Sequence, residues 1–350
     1  MSFKPVELHD KLSYGTMTLT ATPEPKPIEA NVEKVQYVVD KYNVTFVNWG
    51  EFYDQTLDGP ANLILMKKFL ESNDDETNRK LVFSIKGGYK LAVHKPQGSK
   101  EGITKSIKNI LSYLPQDRSK RPKILFEAAR RDFEVPYDKT IEYIADFVKS
   151  GDIDGISLSE VGTESIRKAV SVYPISAVEL ELSLTCQDLI YNGVLEELAK
   201  QQIPIVAYSP IGRGILTDYT VENSESFLDS LHEKDFRRHF GKFQPENYKH
   251  NLQVVKKLYD FAHNKKNTSL ESLALSWILK LSELPEFEGI KNLPKIIPIP
   301  GGSTIERIDK NFGNIVELSD ADLAEIQSIT KGFEVKGVRY TEQAEHLLFA

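Results

Sequence analysis

Short apolar or β-branched runs alternate with longer stretches of helical periodicity about eight times along the 350-residue chain, and no Pro/Gly/Ser-rich linker interrupts the alternation. The strand-like runs are Lys11–Thr16, Thr45–Asn48, Leu81–Lys86, Ile124–Ala128, Gly155–Leu158, Ala177–Leu180, Ile205–Tyr208 and Ile296–Pro300. They are short and mostly apolar, as strands covered on both faces should be. Repeated strand–helix alternation calls for parallel strands with helices packed outside them. Eight repeats fit a closed (β/α)8 TIM barrel better than a doubly wound sheet, which has fewer repeats and an early glycine-rich turn; no G-x-G-x-x-G occurs here. The expectation is one α/β domain over residues 1–350, with a barrel core at about 10–330. A polar segment at 218–251, carrying Phe227, Phe236, Phe240 and Phe243, and a tail at 331–350 should lie over the barrel mouth.

Between the strands, Ile28, Val32, Val35, Val39 and Tyr42 recur at helical spacing. So do Ile103, Ile107, Ile110, Leu111 and Leu114, and then Ile141, Ile144, Phe147 and Val148. Each set predicts a helix with one buried face. Pro136, Thr268-x-x-Glu271 and Ser303-x-x-Glu306 mark helix starts, and Gly151 marks a stop.

Composition removes several function classes. Against 51 Asp+Glu there are 44 Lys+Arg, a net charge of −7, which argues against a nucleic-acid partner. The longest stretches free of charged residues, Leu12 to Pro23 and Gln201 to Gly212, are twelve residues each. A membrane-spanning helix needs roughly 18 apolar residues, so none is expected. One cysteine, Cys186, cannot form an internal disulfide, and the start of the chain has no apolar h-region. A reducing setting follows, the cytoplasm and on the same ground the nucleus. No metal is expected, and the oligomeric state is not legible.

In a barrel the chemistry sits where strands end. Those positions are Asn48 to Tyr53, Lys86 to Gly88, Ala129 to Asp132, Ser159 and Glu160, Glu179, Tyr208 to Gly214 and Gly301 to Thr304. Tyr53 and Lys86 follow the second and third strands and should face each other. An ammonium beside a phenol favours the phenolate and should lower its pKa toward neutrality, which makes Tyr53 a candidate general acid. The plainer alternative is a rim tyrosine and a surface lysine.

Six segments carry a resemblance in consistent order: Gly15-Thr16-Met17, FVNWGEFYD (Phe46–Asp54), SIKGGY (Ser84–Tyr89), GDIDGISLSEVGTESIRKA (Gly151–Ala169), IPIVAYSPIGRGILT (Ile203–Thr217) and IPIPGGSTIERIDKN (Ile297–Asn311). Together they resemble the motifs of the aldo-keto reductases, over about residues 10–330. That family is a (β/α)8 barrel that reduces carbonyls with NADPH through an Asp-Tyr-Lys-His tetrad. The resemblance puts the tyrosine at Tyr53 and the lysine at Lys86. The aspartate position is Asn48, and the histidine position is Ala129. Asn in place of Asp together with the lost histidine is similar to the pyridoxal reductase branch.

Without a carboxylate at residue 48, the Lys86 charge should act on Tyr53 less compensated. Ala129 should open roughly an imidazole's volume for a substituted pyridine aldehyde. The resemblance also implies that Gly15, Thr16 and Met17 lie along the cofactor. It assigns the nicotinamide carboxamide to Ser159, Glu160 and Glu179, the ring face to Tyr208, and the pyrophosphate to Ser209, Ile211 and Gly214. Arg213 adds charge there or is a solvated rim arginine. Gly302, Ser303 and Thr304 open a helix whose N-terminus suits a phosphate. Arg307 would take the adenosine 2′-phosphate and Asn311 would face adenine, so NADPH is favoured over NADH.

The reading that follows is NADPH-dependent reduction of pyridoxal to pyridoxine with Tyr53 as proton donor. Reduction of other aromatic or aliphatic aldehydes, and a non-catalytic NADPH-binding regulatory subunit, are the alternatives. A phosphate-binding barrel acting on sugar phosphates leaves five of the six motifs unexplained.

Overall fold

The computed structural model describes residues 4–350. Eight parallel strands form one sheet: β1 (Tyr14–Gly15), β2 (Phe46–Gly50), β3 (Val82–Gly87), β4 (Lys123–Ala128), β5 (Gly155–Ser159), β6 (Ala177–Glu181), β7 (Ile205–Tyr208) and β8 (Ile296–Pro298). They are ordered as they occur in the chain. The ring closes between β8 and β1, where Ser13 N–H donates to the Pro298 carbonyl at 3.0 Å and Gly15 N–H to that of Pro300 at 3.1 Å. The expected (β/α)8 barrel is what forms.

Strand side chains alternate between two faces, and in a closed sheet one face is the interior. Outward-pointing Val47, Trp49, Phe83, Ile85, Phe126, Ile156, Leu158, Val178 and Leu180 share a core with helix residues such as Val35, Phe69, Ile107 and Ile144. Inward, Phe46, Val82, Leu125, Ala177, Val206 and Ile297 form an apolar floor, plugged from below by Leu8. Two residues further along the same strands the interior turns polar, with Asn48, Ser84, Glu127, Ser157 and Glu179 all buried. One more step brings Lys86 and Glu181, also buried, to the mouth. The strands are therefore not apolar on both faces as their composition suggested.

The outer ring includes α1 (Ile28–Tyr42), α2 (Ala61–Ser72), α3 (Lys100–Leu111), α4 (Tyr137–Lys149), α5 (Thr163–Val172), α6 (Val194–Gln201), α7 (Pro245–Lys266), α8 (Leu270–Leu281), α9 (Ile305–Gly313) and α10 (Asp320–Thr330). Pro136 precedes α4 as expected, and Gly151, just beyond it, adopts φ +82. Two starts shift by one residue. Ser269, not Thr268, caps α8 by accepting from Ser272 N–H, and Thr304, not Ser303, caps α9 by accepting from Arg307 N–H. No helix among the described residues is long and apolar enough to cross a membrane.

The segment at 218–251 forms short helical turns and then enters α7 at Pro245. Its phenylalanines make an aromatic cluster, with Phe227 stacked on Tyr248 at 5.6 Å and an interplanar angle of 11°. The tail lies against this segment and the mouth. Asn251 and Lys336 exchange two hydrogen bonds at 2.8 and 3.0 Å. Gly241 and Gly337 bring their backbones into direct contact: a Cβ on Gly337 would fall 2.2 Å from the Gly241 carbonyl carbon. Ala350 exchanges backbone hydrogen bonds with Glu160 and Gly162 at 3.1 and 3.0 Å.

Candidate active site

Tyr53 sits in the turn that follows β2. Its N–H donates to the Gly50 carbonyl at 3.3 Å, and its own carbonyl accepts from Thr20 Oγ1 at 2.7 Å. Residue 50 must be glycine, since a Cβ there would lie 2.6 Å from the tyrosine ring. Tyr53 packs with Phe52 and Ala129, and Met17 and Tyr89 close over this cluster. Its hydroxyl lies close enough to Lys86 for the ammonium to favour its ionised form. The two side chains expected to meet are brought together.

Lys86 is buried and stands between two buried carboxylates. Glu127 Oε1 lies 3.2 Å from its Nζ, and Glu179 Oε1 is in still closer contact. Glu127 also accepts from Ser84 Oγ at 2.8 Å, and Glu179 Oε2 accepts from Asn48 Nδ2 at 2.6 Å. β3 and β4 place Lys86 directly beside Glu127 in the ladder.

Burial lowers the proton affinity of the lysine, but Glu127 and Glu179 outweigh it and hold Lys86 well above the usual lysine range. Burial and the charge of Glu127, opposed by Lys86, push Glu179 up to about 8. Tyr53 is held above the ordinary phenol range: burial and both glutamates raise it, and Lys86 only partly offsets them. Two expectations are thereby corrected. Lys86 is fully compensated despite Asn48, and Tyr53 rests as a neutral phenol and not as one poised near neutrality. The physical reason is the two-residue alternation, which aims Glu127 and Glu179 inward.

A second polar group adjoins the first. Tyr208 Oη donates to Glu160 Oε1 at 2.8 Å and lies 2.9 Å from Tyr340 Oη. Arg339, from the tail, donates to Glu160 Oε1 at 2.7 Å, to Glu160 Oε2 at 3.1 Å and to Tyr208 Oη at 3.0 Å. It also donates to Glu181, which pairs with Arg213 at 3.0 Å. Arg213 is therefore not a solvated rim residue; its side chain is 10% exposed, and its guanidinium lies 4.2 Å from the Tyr340 ring and 4.7 Å from that of Phe240. Despite burial, Arg339 and Arg130 hold the Glu160 carboxyl below its usual range. Glu160 is thus fully engaged by protein groups. Ser159, buried at the end of β5, faces Arg130 at 3.5 Å.

The remaining expected cofactor residues line the neighbouring strand ends. Thr16 is buried, donating to the Asn48 carbonyl at 2.8 Å, while Gly15 closes the β8 seam. After β7, Ser209 at φ +50 and Gly214 at φ +93 bracket a tight turn, in which Ile211 accepts from Gly214 N–H at 3.0 Å. Gly302 accepts from Tyr14 Oη at 2.7 Å. Exposed Arg307 donates to Ser303 Oγ at 3.1 Å, just outside the start of α9. Asn311 is buried, and its amide donates to the Gly301 carbonyl at 2.7 Å, fixing the glycine turn. His94, in the loop after Lys86, lies 3.5 Å from the Tyr89 hydroxyl through Nδ1.

Sequence reasoning missed Glu127, Glu181, Arg339 and Tyr340, and placed Arg130 among the strand-end positions without giving it a role. Glu127 was detectable, since a lone acid inside ILFEA at an inward position has to find a partner. Arg130 follows Ala129 directly, donates to its carbonyl at 2.6 Å, and makes no ion pair among the described residues. Arg339 and Tyr340 carried no signal, because their place depends on the path of the tail.

The aldo/keto reductase family profile matches residues 11–331. A Schizosaccharomyces pombe protein named "Probable pyridoxal reductase 2" is 33% identical over 339 residues, covering 96% of each chain. A Saccharomyces cerevisiae protein named "Putative pyridoxal reductase" is 33% identical over 347 residues, covering 93% of this chain and 94% of its own. Among solved structures, a glycerol dehydrogenase from Gluconobacter oxydans superposes with a TM-score of 0.74 at 16% identity, covering 94% of this chain and 93% of its own. With a match across nearly the whole barrel and relatives alike over their full length, the chain belongs to the aldo/keto reductase family.

Proposed function

We propose that the protein is an NADPH-dependent reductase that converts pyridoxal to pyridoxine. The observation that carries this reading is a buried, neutral Tyr53 hydroxyl held within the electrostatic reach of a buried, charged Lys86. A protonated phenol is what a carbonyl oxygen needs as it gains negative charge, and the ammonium stabilises the phenolate left behind. Bound NADPH would supply the hydride for the carbonyl carbon. Tyr53 gives up its proton to the developing alkoxide, and the apolar wall of Phe52, Ala129 and Tyr89 keeps water from the reacting pair.

The donor set of the chain suits a phosphorylated dinucleotide. Free amides at the start of α9, the Ser303 hydroxyl and the exposed guanidinium of Arg307 are phosphate-binding groups, and Arg307 distinguishes a 2′-phosphate from a hydroxyl. Along the rest of the groove, Gly15, Thr16, Met17, Ser159, Tyr208, Ser209, Ile211 and Gly214 are the proposed contacts, with Gly302 and Thr304 shaping the phosphate turn and Asn311 bracing it. The substrate assignment rests on the names of the two yeast relatives and on the aromatic wall around Ala129. The lone buried thiol of Cys186 fits a reducing compartment, the cytoplasm or nucleus.

Purified protein mixed with NADPH and pyridoxal should consume the reduced nicotinamide absorbance. Tyr53→Phe should lower kcat roughly 100- to 10,000-fold, the span of a lost general acid, with NADPH still bound. Tight NADPH binding without turnover of any aldehyde, unchanged in Tyr53→Phe, would instead identify a regulatory NADPH-binding subunit.

A further inference from the structure

Lys86 has no acidic partner on β2. Asn48, the inward residue of that strand, directs its amide at Glu179 Oε2 from 2.6 Å. The negative charge comes from the far side of the barrel instead: Glu127 on β4 and Glu179 on β6 reach the same ammonium from two directions. Both carboxylates are buried, at 0% and 1% side-chain exposure, so their effect on Lys86 and Tyr53 is little screened by water. Each Glu179 oxygen has its own donor, Lys86 for one and Asn48 for the other.

We propose that Glu127 and Glu179 form a two-carboxylate clamp on Lys86, with Asn48 as the tether of Glu179, and that this clamp keeps Tyr53 a proton donor. Glu127, Glu179 and Asn48 are positioning residues in this scheme; they act through the lysine. Above about pH 8, where Glu179 is ionised, one ammonium neutralises one carboxylate and the second opposes formation of a phenolate at Tyr53. Glu179 is faced by Lys86 from β3, Glu127 from β4, Asn48 from β2 and Tyr53 from the turn after β2; burial and the charge of Glu127 raise its proton affinity against the opposing charge of Lys86. Replacing Glu179 by Gln keeps the shape and removes the second negative charge, and Lys86 then acts on Tyr53 less opposed. Replacing Asn48 by Asp at the same time returns a carboxylate one hydrogen bond away.

The kinetic consequence rests on Tyr53 as the donor proposed above, whereas the effect on the phenol does not. The test is therefore an ultraviolet tyrosinate titration of Tyr53, taken as the difference between each protein and its Tyr53→Phe counterpart. It compares wild type, Glu179→Gln and Asn48→Asp/Glu179→Gln. Glu179→Gln should bring the Tyr53 midpoint down by about one pH unit or more, and the double variant should move it back. The alkaline limb of kcat for aldehyde reduction should shift by the same amount, with the NADPH Kd unchanged within about threefold, less than one lost charged hydrogen bond would cost.

A Tyr53 midpoint unmoved by Glu179→Gln overturns the clamp. So does a large loss of NADPH affinity with an unmoved midpoint, which would make Glu179 a cofactor ligand. Should Glu179→Gln fail to fold, Glu127→Gln tests the same charge and must also lower the midpoint. A wild type that reduces no aldehyde sinks the proposed function, and the titration still decides the clamp.

Discussion

Glu127 sits in a strand among Leu, Phe and Ala, and composition hid it, whereas Glu179 was legible as a strand-end residue but not as a partner of Lys86. Lys86 was legible because it ends an apolar run and Tyr53 because it falls in the turn just after one, whereas Glu127 lies inside a run and only the two-residue phase of β4 reveals that it points at the lysine. Phase is a three-dimensional fact, since it needs the barrel axis to define inside. A linkage prediction belongs at this scale. Folded Glu179 keeps its proton up to about pH 8, whereas an unfolded glutamate loses it near its ordinary value of 4.5. Between those limits the native state binds more protons, so the Glu179 contribution to stability falls as pH rises through the window. The unfolding free energy of wild type minus that of Glu179→Gln, measured by urea denaturation from pH 4.5 to 8, should decline steadily, and a flat difference would refute the raised affinity. Lys86 does not disturb the comparison, since its contribution is lost only above the usual lysine range.

Among elements, the strands were read to within two residues at most ends because apolar runs and their polar stops are local properties; only β1, two residues long, is much shorter than its run. Helix starts were less secure. At α8 and α9 the hydroxyl before the first turn was identified one residue early, since Thr268 and Ser269, or Ser303 and Thr304, are equally good caps by type. The one-residue shift at α9 matters for chemistry. Thr304 is consumed in capping, which leaves Ser303 and Arg307 together at the helix end. Arg307→Ala should weaken NADPH by roughly 1.5–3 kcal/mol, about 10- to 150-fold, and NADH hardly at all. Fluorescence titration with both dinucleotides checks this, and equal losses would remove Arg307 from the 2′-phosphate.

For the molecule as a whole, the tail is the part the sequence left open. It was expected over the mouth, but nothing local announced that Arg339 would enter between Glu160 and Glu181 and bond the hydroxyl of Tyr208. Its side chain is 7% exposed, and truncating it leaves two buried carboxylates, Glu181 with Arg213 as its remaining partner and Glu160 with only the nearby charge of Arg130. Removing one partner of such a group costs about 3–5 kcal/mol. Arg339→Ala should therefore lower the denaturation midpoint by that equivalent and expose the tail to limited proteolysis; a variant as stable and as resistant as wild type would show that the tail does not depend on this anchor.

The β8–β1 seam ties these scales together. Gly15 leads into Thr16 and Met17, and the carbonyl that receives its amide belongs to Pro300, one residue before the phosphate turn. The two ends of the proposed dinucleotide groove are thus stitched to each other by the same short latch that shuts the cylinder. A ligand lying across both would act as a rivet, and loosening the wall at that joint and letting the ligand go would be a single event.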